Sequence, residues 1–396
     1  MSEQEVYLRF IDWLKQTWRG LPEADELMPL MMTSYTPEEA SLLTGMPFSG
    51  RNLEELAEMK QMDPAELSNQ LDALARKGIV FRTVRGDTVH YSLNDSFFTF
   101  MRSSFWAGGK DERTKAMAPL VNQYYYHGFF DQYADTHIKG LRVLPIQEVI
   151  EDTRQILPYE EVVKVLDSKD YFAVSICSCR HRKNIDPDSA NCKYPTEVCL
   201  HFNQLARYTV ENGLGRQITR QEAQDILRQC AEVGLVHGVS NYQEGVDTIC
   251  NCCRDCCIFF EAFHKLKHSM SLSSSNYRVR PDPETCIGCG LCVKRCPMGA
   301  IRLEDFPGAR NRISKVAARN KSGEVELKNK TGKVSVVNPD LCVGCGVCAY
   351  KCSTQSLVLE RREAIQDPPK DVREYMGLIT ADLAAARAQA GQGKDK

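Results

Sequence analysis

The sequence predicts a multidomain α+β chain, and three observations support this prediction. At 396 residues the chain is long enough for about two to four domains. Its 18 cysteines all fall between Cys177 and Cys352, so the first part differs in composition from the rest. Helix and strand patterns precede that region, and a short cysteine run occurs twice near its end. We therefore expect a helical N-terminal part, a cysteine-rich α/loop central part and a small C-terminal domain with an inserted β-hairpin.

Residues 1–92 are predicted to form helices followed by a hairpin. The stretches Thr36 to Glu39 and Asp63 to Glu66 each combine an N-cap residue, a proline and a glutamate at the third helical position. Strand patterns at residues 79–81 and 89–93 flank a turn at residues 85–87. Apolar residues follow the second helix start at helical spacing: Leu67, Leu71 and Leu74.

Helix, helix and hairpin in this order resemble a winged helix, which implies DNA binding as one role. A DNA reader needs cations for phosphates and donors for base edges on its second helix. Here the cations are Arg76 and Lys77 at the end of that helix, with Arg82 and Arg85 in the wing. The sequence therefore favours a structural or protein-binding module, with DNA binding as the alternative.

The segments on either side of the cysteines carry weaker signals. Residues 93–170 are predicted to be a helical connecting region, in which the aromatic run 124–130 packs internally and His127 is a core histidine; the alternative is that this run lines a cofactor or partner surface. Residues 361–396 are predicted to be a C-terminal helix followed by a disordered tail, GQGKDK.

Charge and targeting signals predict a cytoplasmic protein. Acidic and basic residues number 52 and 50, so no global field favours nucleic acid or a membrane surface. The N-terminus is polar and acidic, without the pattern of a signal peptide, and no apolar stretch is long enough to cross a membrane. In a reducing compartment, clustered cysteines bind metal or do redox chemistry more often than they form disulfides.

A cysteine run occurs twice in the C-terminal third. Its first copy has three cysteines with two residues between neighbours, then a fourth cysteine after three further residues, followed directly by a proline: Cys286, Cys289, Cys292 and Cys296. The second copy repeats this spacing: Cys342, Cys345, Cys348 and Cys352. This is the C-x2-C-x2-C-x3-C-P spacing of [4Fe-4S] ligation, whereas structural zinc sites use two separated pairs. The sequence thus predicts two [4Fe-4S] clusters.

Residues 278–360 resemble the two-cluster ferredoxins of bacteria, in which the fourth cysteine of each run ligates the other cluster. The resemblance implies one cluster on the first cysteine set: Cys286, Cys289, Cys292 and Cys352. It implies another on the second cysteine set: Cys342, Cys345, Cys348 and Cys296. Ser353 stands where these ferredoxins usually have a proline, which alters the loop but removes no ligand.

An insertion separates the two runs at about residues 307–337. Strand patterns at 324–327 and 333–337, with a turn at 330–332, predict a hairpin. Basic residues outnumber Glu324 and Glu326 there: Arg310, Arg312, Lys315, Arg319, Lys321, Lys328, Lys330 and Lys333. This charge fits the docking of an acidic redox partner, and it fits a solvated edge protected from aggregation equally well.

The central region, residues 171–277, carries nine further candidate ligands: Cys177, Cys179, Cys192, Cys199, Cys250, Cys252, Cys253, Cys256 and Cys257. Nine thiols exceed the four of a structural zinc and are enough for one or two more clusters, with zinc and thiol redox chemistry as alternatives. Cys230 is excluded because it lies on the apolar face of a helix that begins at Thr219.

Basic residues follow Cys179 directly: Arg180, His181, Arg182 and Lys183. They would stabilise thiolate and a reduced cluster, or they form a solvated basic turn. With thiols in surplus, His181 and His201 are predicted to be supporting or surface residues and not ligands.

Taken together, these parts resemble large ferredoxin-type 4Fe-4S proteins of anaerobic prokaryotes, which implies electron transfer to or from a partner oxidoreductase. A carrier or electron-transfer subunit is favoured over a stand-alone catalyst, and no catalytic residue is predicted, because P-loop, dinucleotide-binding and triad motifs are missing from the local sequence. Two other hypotheses stay open: a redox-sensing DNA-binding regulator, and an iron–sulfur oxidoreductase with its own substrate site.

Overall fold

The computed structural model describes residues 2–17, 19–129, 137–189, 191–266, 271–317 and 324–393. The chain forms two compact units, each built from separate segments. The first consists of Met1–Ile138, Asp170–Ala223 and Val372–Lys396, and the second of Lys139–Lys169 and Gln224–Asp371. The predicted central region 171–277 contributes to both units.

The first unit is mainly helical. Its helices are Glu3–Leu14, Leu27–Ser34, Pro37–Leu43, Leu53–Lys60, Pro64–Arg76, Ser96–Met101, Glu112–Tyr124, Ser178–Ile185, Asn203–Glu211 and Val372–Gly393, with a 3₁₀ turn at Ser103–Phe105 and a π-helical turn at Tyr125–Phe129. Its strands are Arg51–Asn52, Val80–Arg85, Thr88–Leu93, Phe172–Ile176, Glu197–Phe202 and Arg216–Ile218. Phe172–Ile176 is the middle strand of an antiparallel group of three.

The predicted helix starts and hairpin near the N-terminus are present. Thr36 Oγ1 accepts the Glu39 amide at 3.2 Å, and Asp63 Oδ1 accepts the Glu66 amide at 3.0 Å. The strands Val80–Arg85 and Thr88–Leu93 pair antiparallel, as expected. The two-residue strand Arg51–Asn52 was not predicted, because it is too short to show an alternating pattern; it pairs with Thr88–Leu93.

The aromatic run ends in packing, with one correction. Tyr124, Tyr125 and Phe129 are buried, as predicted, whereas Phe130 lies outside the described residues. His127 is not a core histidine: its side chain is 62% exposed, and its Nδ1 lies 2.7 Å from Glu26 Oε1. The π-helical turn shifts the helical register here, so the imidazole points outward while its aromatic neighbours stay inside.

The second unit holds most of the strands. They are Leu141–Val143, Val236–Ser240, Thr248–Cys252, Leu272–Ser273, Tyr277–Pro281, Ile301–Asp305, Ile313–Ala317, Glu324–Lys328, Lys333–Val337 and Leu357–Arg361. The helices are Val162–Asp167, Arg220–Val233, Ile258–Lys265, Leu291–Arg295 and Val347–Tyr350, with 3₁₀ turns at Gln147–Val149, Thr153–Gln155 and Pro158–Glu160. The first four residues of the helix Arg220–Val233 belong to the first unit.

The predicted pairing within the insertion is wrong. Glu324–Lys328 pairs with Ile313–Ala317, and Lys333–Val337 pairs with Ile301–Asp305. The turn before Lys333 does exist, since Asn329 Oδ1 accepts the Gly332 amide at 2.9 Å, but it carries the chain from one pair of strands to the other. Arg319 and Lys321 lie outside the described residues.

The C-terminal helix extends through Gly393, so three residues of the predicted disordered tail are helical and the last three lie outside the described part. Among the helices of the described residues, none is long and apolar enough to span a membrane.

Candidate metal centres

Two short loops in the second unit carry the repeated cysteine runs. Each loop turns at a glycine with positive φ, Gly288 at 63° and Gly344 at 69°. A Cβ at Gly344 would lie 2.1 Å from the Tyr277 carbonyl oxygen, and one at Gly288 would lie 2.4 Å from that of Lys333. Glycine is therefore required both by conformation and by close packing of the backbone.

The structure brings the first cysteine set together. All four of its members line one small pocket: Cys286, Cys289, Cys292 and Cys352. Burial raises the pKa of Cys292 to about 12, and the neighbouring thiols Cys286, Cys289 and Cys352 add to that shift. Four thiols that line one pocket are a soft, convergent donor set for a metal centre.

The second cysteine set converges in the same way. Burial raises the pKa of Cys348 well above its ordinary value, followed by the effects of Cys345, Cys296 and Cys342. Burial also raises the pKa of Cys345 to about 12. The fourth cysteine of each run thus lies with the first three of the other run. The two sets adjoin, because Cys348 also borders the pocket of the first set.

Residues 285–356 match the family model described as a 4Fe-4S dicluster domain. This match and the convergent cysteines support an iron–sulfur protein, and we call the matched segment the dicluster domain. The chain matches no curated protein and no solved structure.

The insertion packs on the first loop of the dicluster domain. Asn329 Nδ2 donates to the Cys286 carbonyl at 3.0 Å, and Thr331 Oγ1 donates to the Gly288 carbonyl at 3.3 Å. Ser335 donates its amide to Cys286 Sγ at 3.4 Å. These contacts hold the loop in the conformation that aims its thiols inward.

Other segments of the second unit hold the second loop. The Ile146 amide donates to the Cys345 carbonyl at 3.1 Å. Arg362 donates to the Cys342 carbonyl and, through Nε at 2.9 Å, to that of Tyr277. Arg295, next to Cys296, donates to the Val347 carbonyl at 3.0 Å. The dicluster domain is therefore built into the core of its unit.

Four of the central candidate cysteines lie in the first unit. Cys177 precedes the helix Ser178–Ile185, and a hydrogen bond with Cys179 raises the pKa of the Cys177 thiol. The Cys192 amide donates to Asn184 Oδ1 at 2.7 Å, which ties its loop to that helix. Cys199 is buried in the strand Glu197–Phe202.

The basic residues after Cys179 are not a solvated turn. Arg180, His181, Arg182 and Lys183 are all buried, with both arginines 0% exposed. Arg182 Nε donates to Asn122 Oδ1 at 2.6 Å, whereas its Nη2 has no hydrogen-bond partner among the described residues. Buried cations are costly without a counter-charge, and a thiolate-bound metal centre would supply one.

The other five central cysteines lie in the second unit. Cys250 and Cys252 belong to the strand Thr248–Cys252, and Cys257 precedes the helix Ile258–Lys265. Hydrogen bonds with Cys250 and then Cys257 raise the pKa of the Cys252 thiol. Cys253 and Cys256 lie in the intervening turn, both buried. A compact thiol group thus forms around this strand end.

One residue here escaped the sequence analysis. His237 lies opposite Asn251 in the antiparallel pair, and its Nδ1 is 2.7 Å from Asn251 Oδ1, between Cys250 and Cys252. Because the amide oxygen accepts, the proton is on Nδ1. Burial lowers the pKa of His237, so the ring is neutral. No local motif marks this pairing, which depends on strand register.

The remaining candidates have structural roles. His201 packs on Trp106 with ring centroids 4.3 Å apart, and burial lowers its pKa well below the ordinary value. His181 Nε2 lies 2.7 Å from the Gly109 carbonyl oxygen. Cys230 is fully buried in its helix, as predicted. Ser353 borders the first cysteine set beside Cys352.

The cations of the N-terminal module are partly engaged in ion pairs. Lys77 pairs with Glu39, and Arg82 pairs with Asp72 at 3.2 Å and Glu211 at 3.0 Å. Two of the side chains that a DNA reader would use are thus held by carboxylates.

Proposed function

We propose that this iron–sulfur protein transfers single electrons through two [4Fe-4S] clusters, one on each cysteine set, to or from a partner oxidoreductase. The observation that carries the proposal is the crossed convergence of thiols. Cys352 lies with the thiols of the first run, and Cys296 lies with those of the second. Such a set provides four thiolates to each cluster, and a bound cluster supplies a one-electron redox step.

Differences in exposure support transfer to another protein. Cys289 is exposed, whereas Cys342, Cys345 and Cys348 are buried. The first set therefore reaches the surface through Cys289, whereas three of the four cysteines of the second set are buried. A carrier needs one accessible site and benefits from a second one close behind it.

The insertion gives less support to an acidic partner than its composition suggested. Arg312 pairs with Glu284 at 3.0 Å, Lys315 with Glu326 at 3.4 Å, and Lys333 with Asp305 at 3.3 Å. Much of the positive charge is therefore balanced within the domain. The proposed redox partner therefore need not be acidic.

We also propose that the central cysteines hold one or two further clusters. The fully buried guanidinium of Arg180 favours the thiolate form of Cys177, which supports an anionic centre there. A zinc ion bound by four thiolates would also be anionic, so the metal itself must be identified by analysis.

The test is anaerobic iron and sulfide analysis of the full chain, followed by an EPR-monitored redox titration. Iron should approach about eight per chain for the dicluster domain alone and about 16 with two further clusters. C352S and C296S should each remove a different EPR signal, and C230A, the matched control, should leave iron unchanged. Colourless or zinc-only protein would refute the proposal.

A second candidate, an oxidoreductase with its own substrate site, is favoured by one cavity in the second unit. It measures about 240 Å³ and is lined by apolar groups such as Ile146 and Leu227 and by polar groups such as Glu148 and His237. The cavity wall adjoins the second cysteine set, because the Ile146 amide donates to the Cys345 carbonyl. It also adjoins the central cysteines of this unit, because His237 is hydrogen-bonded to Asn251, which lies between Cys250 and Cys252. A small organic molecule would fit there.

This candidate is separable by experiment. Ala231 lines the cavity, so A231F should fill it and abolish reduction of a small quinone by the anaerobically reduced protein. V233F, at a 39% exposed position of the same helix, is the control. Equal rates of quinone reduction in both variants and the wild type would refute the substrate site and leave electron transfer as the remaining candidate function. The DNA-binding regulator gains no comparable support, since Lys77 and Arg82 have carboxylate partners.

A further inference from the structure

The two cysteine sets differ in the side chains that surround their sulfur atoms. Ser356 Oγ lies 3.3 Å from Cys352 Sγ, and Ser335 Oγ lies 3.7 Å from Cys286 Sγ. Thr354 Oγ1 lies 3.7 Å from Cys352 Sγ and donates to Ser356 Oγ at 3.1 Å. Three hydroxyl groups therefore adjoin the first set.

Among the described residues, no hydroxyl lies within hydrogen-bond distance of a sulfur of the second set. The polar contacts at the second set are backbone amides: Ala300 N lies 3.3 Å from Cys296 Sγ, and the amides of Met298, Gly299 and Val347 also favour its thiolates. The first set receives amides as well, from Ser335 to Cys286 Sγ at 3.4 Å and from Val293 to Cys292. Both sets therefore have amide donors, and the first set has hydroxyl donors and greater exposure in addition.

The direction of these hydrogen bonds follows from the chemistry. A metal-bound thiolate has no proton, so the hydroxyl must donate to sulfur. The Thr354 hydroxyl donates to Ser356, which then donates to Cys352, so the first bond polarises the second. Donation to sulfur stabilises extra negative charge, and reduction adds that charge.

Burial acts in the opposite direction at the second set. Cys345 and Cys348 are 7% and 5% exposed, and they pack in an apolar core with Val343 and Val347. Such surroundings penalise the more negative, reduced state. Cys289, by contrast, is exposed to water.

Resting on the proposed function, we propose that Ser335, Thr354 and Ser356 raise the reduction potential at the first cysteine set above that at the second. Ser335 belongs to the insertion, so that segment tunes the potential in addition to packing on the loop. Reducing equivalents then collect at the exposed set, where a partner protein can exchange them.

The test is an EPR-monitored redox titration of the full chain with four variants. C352S identifies the signal of the first set by its loss. S356A and S335A should each lower the midpoint of that signal, reducing its reduced-to-oxidised ratio at a fixed potential by about fivefold. The remaining dicluster signal, assigned by its loss in C296S, should have the lower midpoint and should not move.

The control is S314A, which removes a buried hydroxyl that donates to the Thr285 carbonyl at 2.8 Å and to no sulfur. It should leave both midpoints in place. An unchanged first-set midpoint in S356A and S335A, or a higher midpoint at the second set, would overturn the inference. With at least about eight irons per chain and a reversible titration, either result would leave the proposed electron transfer intact. Absence of the clusters would instead refute both.

Discussion

Gly344 offers a sharp test of how tightly the dicluster domain holds its second loop. Gly344 and Gly299 both have positive φ, 69° and 68°, so alanine at either position incurs the same left-handed strain of about 1–2 kcal/mol. Their surroundings differ. A Cβ at Gly299 meets nothing within 4 Å, whereas one at Gly344 lies 2.1 Å from the Tyr277 carbonyl oxygen and 2.3 Å from Ser275 Oγ.

The loss of stability expected for G344A depends on how far the neighbouring backbone must move. Relief of the overlap at Gly344 displaces the Ser275–Tyr277 segment by more than 1 Å, about the difference from an ordinary contact of 3.4 Å. That displacement breaks the bonds from Ser275 Oγ to the Gly344 carbonyl at 2.9 Å and from Ser275 N to the Val343 carbonyl at 3.0 Å. The two lost hydrogen bonds cost about 1 kcal/mol each, and overpacking adds about 1–3 kcal/mol. The free energy of unfolding of G344A should therefore be about 3–5 kcal/mol lower than that of G299A.

Anaerobic denaturant unfolding of the iron-loaded protein measures that difference, and iron analysis shows its effect on the metal centre. We expect G299A to keep its iron and G344A to lose about four irons, because Gly344 lies between the ligands Cys342 and Cys345. Equal stability and equal iron content in the two variants would refute the view that backbone packing positions this loop.

Three further predictions test other parts of the molecule. N329A should destabilise the first loop by about 1–2 kcal/mol in anaerobic unfolding, because its amide bonds to the Cys286 and Lys333 carbonyls are lost; no change would deny the insertion a supporting role. In metal-free protein, the pKa of Cys345 is raised because burial disfavours its thiolate, so this group's contribution to the free energy of unfolding is fully present below about pH 9. That contribution should fall between about pH 9 and 12 by up to about 1.4 kcal/mol per pH unit. A free energy of unfolding that rises with pH over this range would contradict the prediction. Y208F should cost the first unit about 1 kcal/mol in thermal unfolding, through loss of the bond to the Val80 carbonyl at 3.1 Å, and iron content should stay constant.

The parts that sequence analysis predicted well are those with short-range causes. A helix cap such as Thr36 with Glu39 is decided within four residues, and three cysteines at a spacing of three residues force a tight loop wherever they occur. The match of residues 285–356 to a dicluster domain therefore agrees with the spacing. The predicted strand pairing in the insertion was wrong, because a turn at Gly332 does not reveal with which other strands the two flanking strands pair.

The arrangement of the central cysteines could not be predicted from the sequence, because it does not have a short-range cause. Cys177 and Cys179 belong to a helix start in one unit, whereas Cys250 and Cys252 belong to a strand in the other. Their arrangement depends on long-range strand register and on packing, which spacing does not encode. The pairing of His237 with Asn251 has the same origin.

The surroundings of the cysteine groups reveal two physical ways to stabilise negative charge. At Cys352 the neighbouring groups are neutral hydroxyls, which would stabilise an added electron without changing the local net charge. In the helix that follows Cys177 they are fully buried guanidinium groups, Arg180 and Arg182, whose cost of burial an anionic centre on these thiols would help to offset. The first arrangement suits a site that changes charge in each turnover. The second suits a centre whose assembly is coupled to folding of the first unit, so metal loading there should order the chain as well as add a redox site.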